Sequence, residues 1–355
     1  MALTDPTQPE SENSLPNQDI EERLLRIQVA QNHINKRVLT DPVDDVLPRL
    51  NETAAYIFNE YFIALHELVC YGTHILTWLI AQNEGKIPVP NETASAAPLT
   101  FRYIIELLDA ISVQVSIGAF NPCKVLLRVL LESVFALEWL LKDDRERRAA
   151  AMFIVDHYRN LAFYQGFVRG TSENATLIKK LKDHGTYLVD INNYPRAKEN
   201  VDRLTKLINS PIYHEARKEY IRFTTEDKHS KPRKNNLSVH LVKWYQLFKG
   251  PVHTGELAEK LGKYELYRFF YQDWSNQIHG TNLSSGVLSR DENGFGWINQ
   301  IRDPTGGEDI VKSTIILILD LFMSLAITTL PERRQEVVAW IQLYKQDFSA
   351  LLDKN

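Results

Sequence analysis

The sequence has few cysteines, no excess of either charge and no long uninterrupted apolar run. Its two cysteines, Cys70 and Cys123, are too few for a disulfide framework or a four-thiolate zinc site, which favours a reducing compartment. Lys and Arg number 41 against 45 Asp and Glu, so the chain lacks the overall positive charge of many nucleic-acid-binding proteins. We therefore expect a cytoplasmic protein, in which any contact with nucleic acid is local.

Neither a leader nor a membrane-spanning segment is predicted. Residues 1–18 have no basic start and no apolar run, and their polar composition predicts a disordered tail. The longest apolar stretch, residues 315–330, contains Asp320 and is shorter than the roughly 20 residues that a spanning helix needs. We interpret it as a buried core helix and expect no membrane partner.

Sequence motifs for cofactors and metals are also missing. The chain has no glycine-rich phosphate loop of the Walker or Rossmann type and no G-x-S-x-G motif. His66, Cys70 and His74 follow one another at helical spacing, but three ligands in a row on one helix span roughly 12 Å, too far to share one ion. We expect a packed helix there, with no metal and no cofactor.

Helical periodicity runs through most of the chain and predicts an all-α protein, a multi-helix bundle. A small β-hairpin is predicted after the helix that carries His279, because two short alternating runs flank Asn293 and Gly294. The predicted organisation after the tail is an N-terminal helical region at 19–98, a main helical domain at 99–330 with a polar insertion around 170–236, and a C-terminal helix at 331–355.

The predicted helix at 122–141 is apolar except for one stripe. At about 100° per residue, Arg128 and Glu132 lie one turn apart on that stripe, and aliphatic or aromatic side chains cover nearly all the rest. The stripe either faces solvent or lines a cleft. Because a buried guanidinium needs a carboxylate partner, Glu132 has the alternative role of holding Arg128 in place.

The predicted helix at 264–283 has a second polar stripe. Arg268, Gln272, Ser275 and His279 share it, with Asn276 at its edge, and aromatic residues take the opposite side. His279 stands at the end of this helix, where the helix dipole favours the protonated imidazole. The residue is a helix cap or a catalytic group.

Two further charged features complete the candidates. Asp320 interrupts an aliphatic run, so it needs a partner such as Arg128 or His279 unless it reaches the surface. The loop at 225–236 is either solvated or contacts a phosphate backbone through its basic side chains. These candidate nucleic-acid-binding residues are Lys228, Lys231, Arg233 and Lys234.

The order of several short motifs resembles an uncharacterised bacterial all-helical family that is defined only as a domain of unknown function. The resemblance covers residues 100–330 and includes Ser275, His279 and Gly280. The motifs are R-x-x-x-E at 128–132, W-Y at 244–245, E-L-A-x-x-L-G at 256–262 and a tyrosine-rich block ending in W-S-x-x-I-H-G at 280.

A more distant similarity links the chain to the HEPN superfamily of helical ribonucleases and nucleotide-binding proteins. That resemblance implies catalytic roles for His279, Arg128 and Glu132, in which Arg128 supplies from the facing helix the cation that the local HEPN motif would carry. In this sequence Trp274 stands five residues before His279, where a HEPN nuclease has arginine. The supporting residues would be Ser275, Asn276, Arg268 and Asp320.

Two functional classes follow from these observations. The resemblance implies an RNA-directed or nucleotide-binding protein, and if it is an enzyme, a metal-independent endoribonuclease acting as a toxin or in bacterial defence. The alternative is a non-catalytic helical interaction module that self-associates. Expected partners are RNA or a nucleotide, a second copy of the chain, and a partner protein encoded nearby.

Overall fold

The structure is a computed structural model, and it describes residues 52–82, 92–185, 194–226, 242–272, 274–275, 288–290, 296–298 and 306–352. The predicted tail at 1–18 lies outside the described residues.

Helices account for most of the described residues, which confirms the predicted all-α class. In chain order the α-helices are α1 (Glu52–Ala81), α2 (Ala96–Ser116), α3 (Phe120–Lys142), α4 (Arg145–Gln165), α5 (Ser172–Asp183), α6 (Ala197–Ile208), α7 (His214–Glu226), α8 (Thr254–Lys260), α9 (Tyr264–Leu266), α10 (Gly307–Thr328), α11 (Arg334–Asp347) and α12 (Ser349–Leu352). Short 3-10 segments lie at Glu92–Ser95, Pro211–Tyr213, Trp244–Lys249 and Pro331–Arg333.

Two three-residue strands follow the α9 region in the chain. Strand β1 (Leu288–Arg290) pairs antiparallel with β2 (Gly296–Ile298), so that Leu288 lies opposite Ile298. The connection between them, which contains Asn293 and Gly294, lies outside the described residues.

The main core is built around α3, which packs against α2 and α10. Its apolar residues recur on several faces of the helix, so little of α3 is left for solvent, and each fully buried Leu or Phe contributes about 1.5–3 kcal/mol. The buried set includes Leu127, Leu130, Leu131, Val134, Phe135 and Leu137. Burial on most sides leaves the few polar side chains of α3 in confined surroundings.

Helix α10 is the predicted core helix. Ile315, Leu321 and Phe322 are fully buried in the main core. By length and composition alone, α10 and the segment Ile57–Ala81 of α1 could cross a bilayer. Core helices of soluble proteins meet the same criterion, and 61% of the most apolar window of α10 is buried inside the protein.

A smaller core forms where α4 meets α6 and α7. Ile154 of α4 packs there with Ile208, Tyr213 and Tyr220, all of them buried. Helices α6 and α7, which lie within the polar region around 170–236, are short and amphipathic, and each packs an apolar side against α4.

Candidate functional site

Arg128 and Glu132 meet a tyrosine from a distant part of the chain. The Arg128 Nη2 atom donates to the hydroxyl of Tyr271 at 3.0 Å, and that hydroxyl donates to Glu132 Oε1 at 2.5 Å. Arg128 also lies 3.4 Å from Glu132 Oε1, and its guanidinium carbon stands 4.9 Å from the centre of the Tyr271 ring. The helix with Arg128 and the segment with Tyr271 therefore do face each other, joined by a phenol.

A π-helical turn places Tyr271 at this contact. Helix α9 continues into a π-helix at Tyr267–Tyr271, and Tyr271 is buried at its end. Each π turn contains about one residue more than an α turn, so it rotates the following side chains, and such turns are often found at functional sites. A regular α-helical wheel puts Tyr271 at the edge of the polar stripe, and for that reason the sequence did not reveal its role.

A second cation, Lys243, approaches the same hydroxyl groups. Its Nζ atom donates to Thr254 Oγ1 at 3.5 Å, and Thr254 also lies 3.4 Å from the hydroxyl of Tyr245. Thr254 also lies close enough to Tyr271 to lower the pKa of its phenol, against the larger effects that raise it. Thr254 thus connects Lys243 to the Arg128, Glu132 and Tyr271 group, and we call these residues together with Tyr245 the Arg128 cluster.

Hydrogen bonds connect the segment that carries Lys243 to the residues that follow it and to the start of α8. The Lys243 amide donates to the side chain of Gln246 at 2.9 Å, and Gln246 donates to the carbonyl of Val252 at 2.6 Å. The amide of Val252 in turn donates to Glu256 Oε2 at 2.7 Å. These links fix the approach of the segment to α8 and with it the position of Lys243.

Gly250 closes this segment tightly. An added Cβ at Gly250 would lie 1.8 Å from the carbonyl oxygen of Tyr245, so no larger residue fits there without a backbone shift. Just before it, Phe248 has a φ of 57°, in the left-handed region that non-glycine residues rarely adopt. The amide of Phe248 is held by Glu219 at 3.0 Å, which anchors this turn to α7.

The surroundings favour a neutral Tyr271 and a charged Lys243. Burial raises the pKa of Tyr271, and its bond to Glu132 raises it further, while Arg128 opposes the change. Burial by itself lowers the pKa of Lys243, but Tyr245, Glu132 and Tyr271 together bring that pKa above its usual value. Near neutral pH Tyr271 is therefore a neutral phenol and Lys243 is a cation.

The cluster remains open to a ligand. The side chains of Arg128 and Glu132 are 20% and 33% exposed. The Arg128 Nε atom is buried and has no hydrogen-bond partner within the described residues. Two cations against one carboxylate leave a local positive charge, which suits an anion such as a phosphate group.

A separate ionic group lies further along α3. The Lys263 Nζ atom is 2.5 Å from Glu138 and 2.6 Å from Asp320, and we call these three residues the Lys263 cluster. Within the described residues the partner of Asp320 is thus Lys263 and not Arg128, and the Asp320 side chain is 55% exposed, in agreement with the alternative that it reaches the surface. Lys263 was missed because it stands in a turn, outside both polar stripes.

Two of the three charged side chains of the Lys263 cluster, Lys263 and Glu138, are largely buried. Burial raises the pKa of Glu138, and the adjacent Lys263 partly offsets this by lowering it. Burial lowers the pKa of Lys263, but the two carboxylates outweigh it and leave that pKa raised. The cluster links α3, the turn before α9 and α10 through one ammonium group.

The other predicted site residues are placed as follows. Arg268 is exposed and donates to Gln272, one turn along the same segment, and Ser275 is partly buried in a short helical stretch. The remaining predicted residues lie outside the described residues, namely His279, Asn276, Lys228, Lys231, Arg233 and Lys234. Within the part of the chain that is described, no group of three or more His, Cys, Asp or Glu side chains could hold a metal ion.

A cavity of about 710 Å³ lies elsewhere, where α4 and α7 begin. Arg147 in its wall is paired with Asp144 at 3.0 Å, and Arg145 donates to the Leu141 and Thr328 carbonyls. Both guanidinium groups therefore already have hydrogen-bond partners within the protein. For this reason we place the candidate chemistry at the Arg128 cluster instead.

Comparison with known proteins gives a family without a function. The family model described as a family of unknown function, DUF5677, matches residues 95–295, which is more than half of the chain. The matched segment contains the whole Arg128 cluster, from α3 to Tyr271. No curated protein and no solved structure matches.

Proposed function

This chain belongs to the DUF5677 family of unknown function, and we propose that it is an RNA-directed, HEPN-like protein that binds a phosphate group of RNA at the Arg128 cluster. One observation carries the proposal. Arg128 and Lys243, which are far apart in sequence, donate to the hydroxyl groups of two neighbouring buried residues, Tyr271 and Thr254, while the side chains of Arg128 and Glu132 beside them are partly exposed.

The chemistry of the cluster matches a phosphodiester. A guanidinium presents its N–H groups in a fixed fork that suits phosphate oxygens, and a lysine adds a compact positive charge. Thr254 adds a hydroxyl group that can donate to the same oxygens, while Tyr271 donates to Glu132. The local positive charge also fits the net charge of −4, because a single well-placed site does not require a basic protein.

The proposal extends to metal-independent cleavage of RNA, in which the 2′-hydroxyl attacks the adjacent phosphorus and the 5′-oxygen leaves. A general base takes the proton of the 2′-hydroxyl and an acid returns a proton to the leaving oxygen. We assign this proton transfer to His279. Arg128 would stabilise the negative charge of the pentacovalent phosphate, held in place by its contact with Glu132.

Binding and cleavage are tested with an end-labelled single-stranded RNA in the presence of a metal chelator. Fluorescence anisotropy reports binding, and gel electrophoresis reports cleavage to products with a 2′,3′-cyclic phosphate. We expect Arg128→Ala to weaken binding by about tenfold or more, since a hydrogen bond to a charged group contributes about 1.5–3 kcal/mol. His279→Ala should abolish cleavage and leave binding nearly intact.

Arg102→Ala is the matched control. Arg102 lies on α2 and pairs with Glu106 at 2.6 Å, but it is well exposed and outside the Arg128 cluster. Its removal should leave RNA binding unchanged. Equal binding by wild-type protein and Arg128→Ala would overturn the proposed phosphate site, and cleavage that survives in His279→Ala would overturn the assignment of His279.

A role as a toxin or in bacterial defence belongs to the same proposal. If the chain degrades cellular RNA, its expression in a bacterial host should arrest growth, and Arg128→Ala should restore growth at equal protein level. Growth arrest that persists with Arg128→Ala would separate any toxicity from this site.

A second function is favoured by exposed apolar side chains on the bundle. Ile316 and Ile327 of α10 are 60% and 52% exposed, as expected for a helical module that associates with a second copy or a partner protein. Light scattering after size exclusion tests this function. A dimer that becomes a monomer in Ile316→Glu would support it, and a wild-type monomer at high concentration would exclude self-association.

A further inference from the structure

We infer that the ligand is single-stranded RNA, one base of which stacks on Tyr264, the exposed end of a row of tyrosines that begins at the Arg128 cluster. This inference rests on the proposed phosphate site and adds the class of substrate. The tyrosine row consists of Tyr271, Tyr267 and Tyr264.

The rings of the row follow one another along α9 and its π-helical continuation. Tyr267 stacks on Tyr271 with 5.0 Å between ring centres and 22° between planes, and Tyr264 follows Tyr267 at 6.0 Å and 35°. Exposure increases along the row, from the buried Tyr271 to Tyr264, which is 49% exposed. The row therefore leads from the cations towards solvent.

Close packing against α8 fixes the middle ring. A Cβ at Gly255 would stand 3.0 Å from two ring carbons of Tyr267, so the glycine lets this ring pack directly against the start of α8. That same start carries Thr254 of the Arg128 cluster. Helix α8 therefore contacts both the tyrosine row and the phosphate site.

Aromatic rings beside cations are the usual means of binding unpaired bases. Every base has a π face, so stacking on tyrosine tolerates any sequence, and the backbone phosphates bind to the adjacent cations. Bases within a duplex already stack on each other and cannot reach a protein ring. The exposed ring of Tyr264 is separated from the Arg128 cluster by the ring of Tyr267, so a base on Tyr264 and a phosphate at Arg128 would belong to different nucleotides, and for this reason we favour a strand over a free nucleotide.

Phe269 provides a matched control on the same segment. It is 70% exposed, but it stands two residues before Tyr271, on another side of the π-helix from the contact with Arg128. An apolar residue in its place removes an exposed aromatic ring outside the row. Tyr264 can be replaced by leucine, which removes the ring, or by tryptophan, which keeps a stacking surface.

The test measures anisotropy of a labelled oligouridine, the same strand annealed to its complement, and an abasic strand of equal length. We expect Tyr264→Leu to weaken oligouridine binding by about tenfold, in line with the loss of one stacked base, and Tyr264→Trp to preserve it. Phe269→Leu should bind like wild type. The abasic strand should bind wild type weakly and should not distinguish Tyr264→Leu from wild type.

The outcomes separate this inference from the proposed function. If Arg128→Ala loses binding while Tyr264→Leu binds oligouridine normally, the stacking row is wrong and the phosphate site stands. If Arg128→Ala binds normally, the phosphate site and this inference both fall. Equal affinity for duplex and single strand would also overturn the inference, and matching thermal unfolding of the variants ensures that each result concerns folded protein.

Discussion

The two ionic clusters on α3 use similar residue types for different purposes. In the Lys263 cluster one ammonium lies between two carboxylates, and Glu138 is deeply buried. In the Arg128 cluster two cations share one carboxylate with several hydroxyl groups, and both Arg128 and Glu132 are partly exposed. The first cluster leaves no cation for a ligand, whereas the second has positive charge in excess.

This difference separates the stability of the bundle from its proposed binding site. Breaking a buried ion pair leaves an uncompensated charge in the interior, which costs far more than losing an exposed contact. A partly exposed cation, by contrast, contributes less to folding and remains available to a ligand. We therefore expect changes in the Lys263 cluster to affect mainly stability, and changes in the Arg128 cluster to affect mainly binding.

The largest effect is expected for Lys263→Met, which leaves Glu138 buried without its cation. The free energy of unfolding should fall by roughly 3–5 kcal/mol at neutral pH, as measured by urea denaturation. Lys263→Arg keeps the charge and should cost much less. A stable Lys263→Met protein would show that the cluster is not needed for the fold.

The pH dependence of Lys263→Met gives a second check on the same cluster. Burial already raises the pKa of Glu138 in the wild type, and loss of Lys263 removes the main influence that lowers it. A carboxyl whose pKa is raised in the folded state stabilises the protein below its unfolded pKa, and that stability is lost as pH rises through the folded pKa. The defect of Lys263→Met should therefore be smallest at acid pH and grow towards neutrality, and a defect independent of pH would contradict the role of Glu138.

A somewhat smaller effect is expected for Gly250→Ala, which changes the segment that carries Lys243 of the Arg128 cluster. The added Cβ would overlap the Tyr245 carbonyl, so the Lys243 segment must shift. We expect a loss of roughly 1–3 kcal/mol in thermal unfolding, typical of overpacking, together with weaker RNA binding. Normal RNA binding in this variant would mean that the segment does not position Lys243 for the ligand.

Tyr271→Phe removes the hydroxyl that Arg128 and Glu132 share. Because one net hydrogen bond contributes about 1 kcal/mol, we expect about a fivefold loss of RNA affinity and a similarly small loss of stability. Tyr103→Phe, at an exposed tyrosine of α2, is the control and should behave as wild type. A loss of stability in Tyr271→Phe with unchanged RNA affinity would place Tyr271 with the structural contacts.

The smallest effect is expected for Glu132→Gln, which changes the net charge of the Arg128 cluster. Glu132→Gln removes the one carboxylate of the Arg128 cluster and keeps an oxygen that can accept from Tyr271. If the cluster binds phosphate, less repulsion should tighten RNA binding by about two- to threefold in an anisotropy titration. Weaker binding would indicate that the charge of Glu132 is needed to hold Arg128 in position.

Much of the architecture was predictable because it depends on local periodicity. The apolar faces of α3 and α10 identified both as core helices, and the spacing of Arg128 and Glu132 placed them one turn apart, as observed. The predicted domain boundaries stay predictions. The roles given to His279 and Asn276 also stay predictions, because these residues lie outside the described part of the chain.

The sequence by itself determined the all-α class, the buried character of α3 and the presence of a polar pair on that helix, since these follow from the helical repeat. Only the tertiary structure decided which charges meet. Lys263 and Asp320 are 57 residues apart, and Arg128 and Tyr271 are 143 apart, so neither contact follows from a local pattern. The π turn at Tyr267–Tyr271 shifts the register of its helix, and that shift brings the phenol of Tyr271 to the Arg128 cluster.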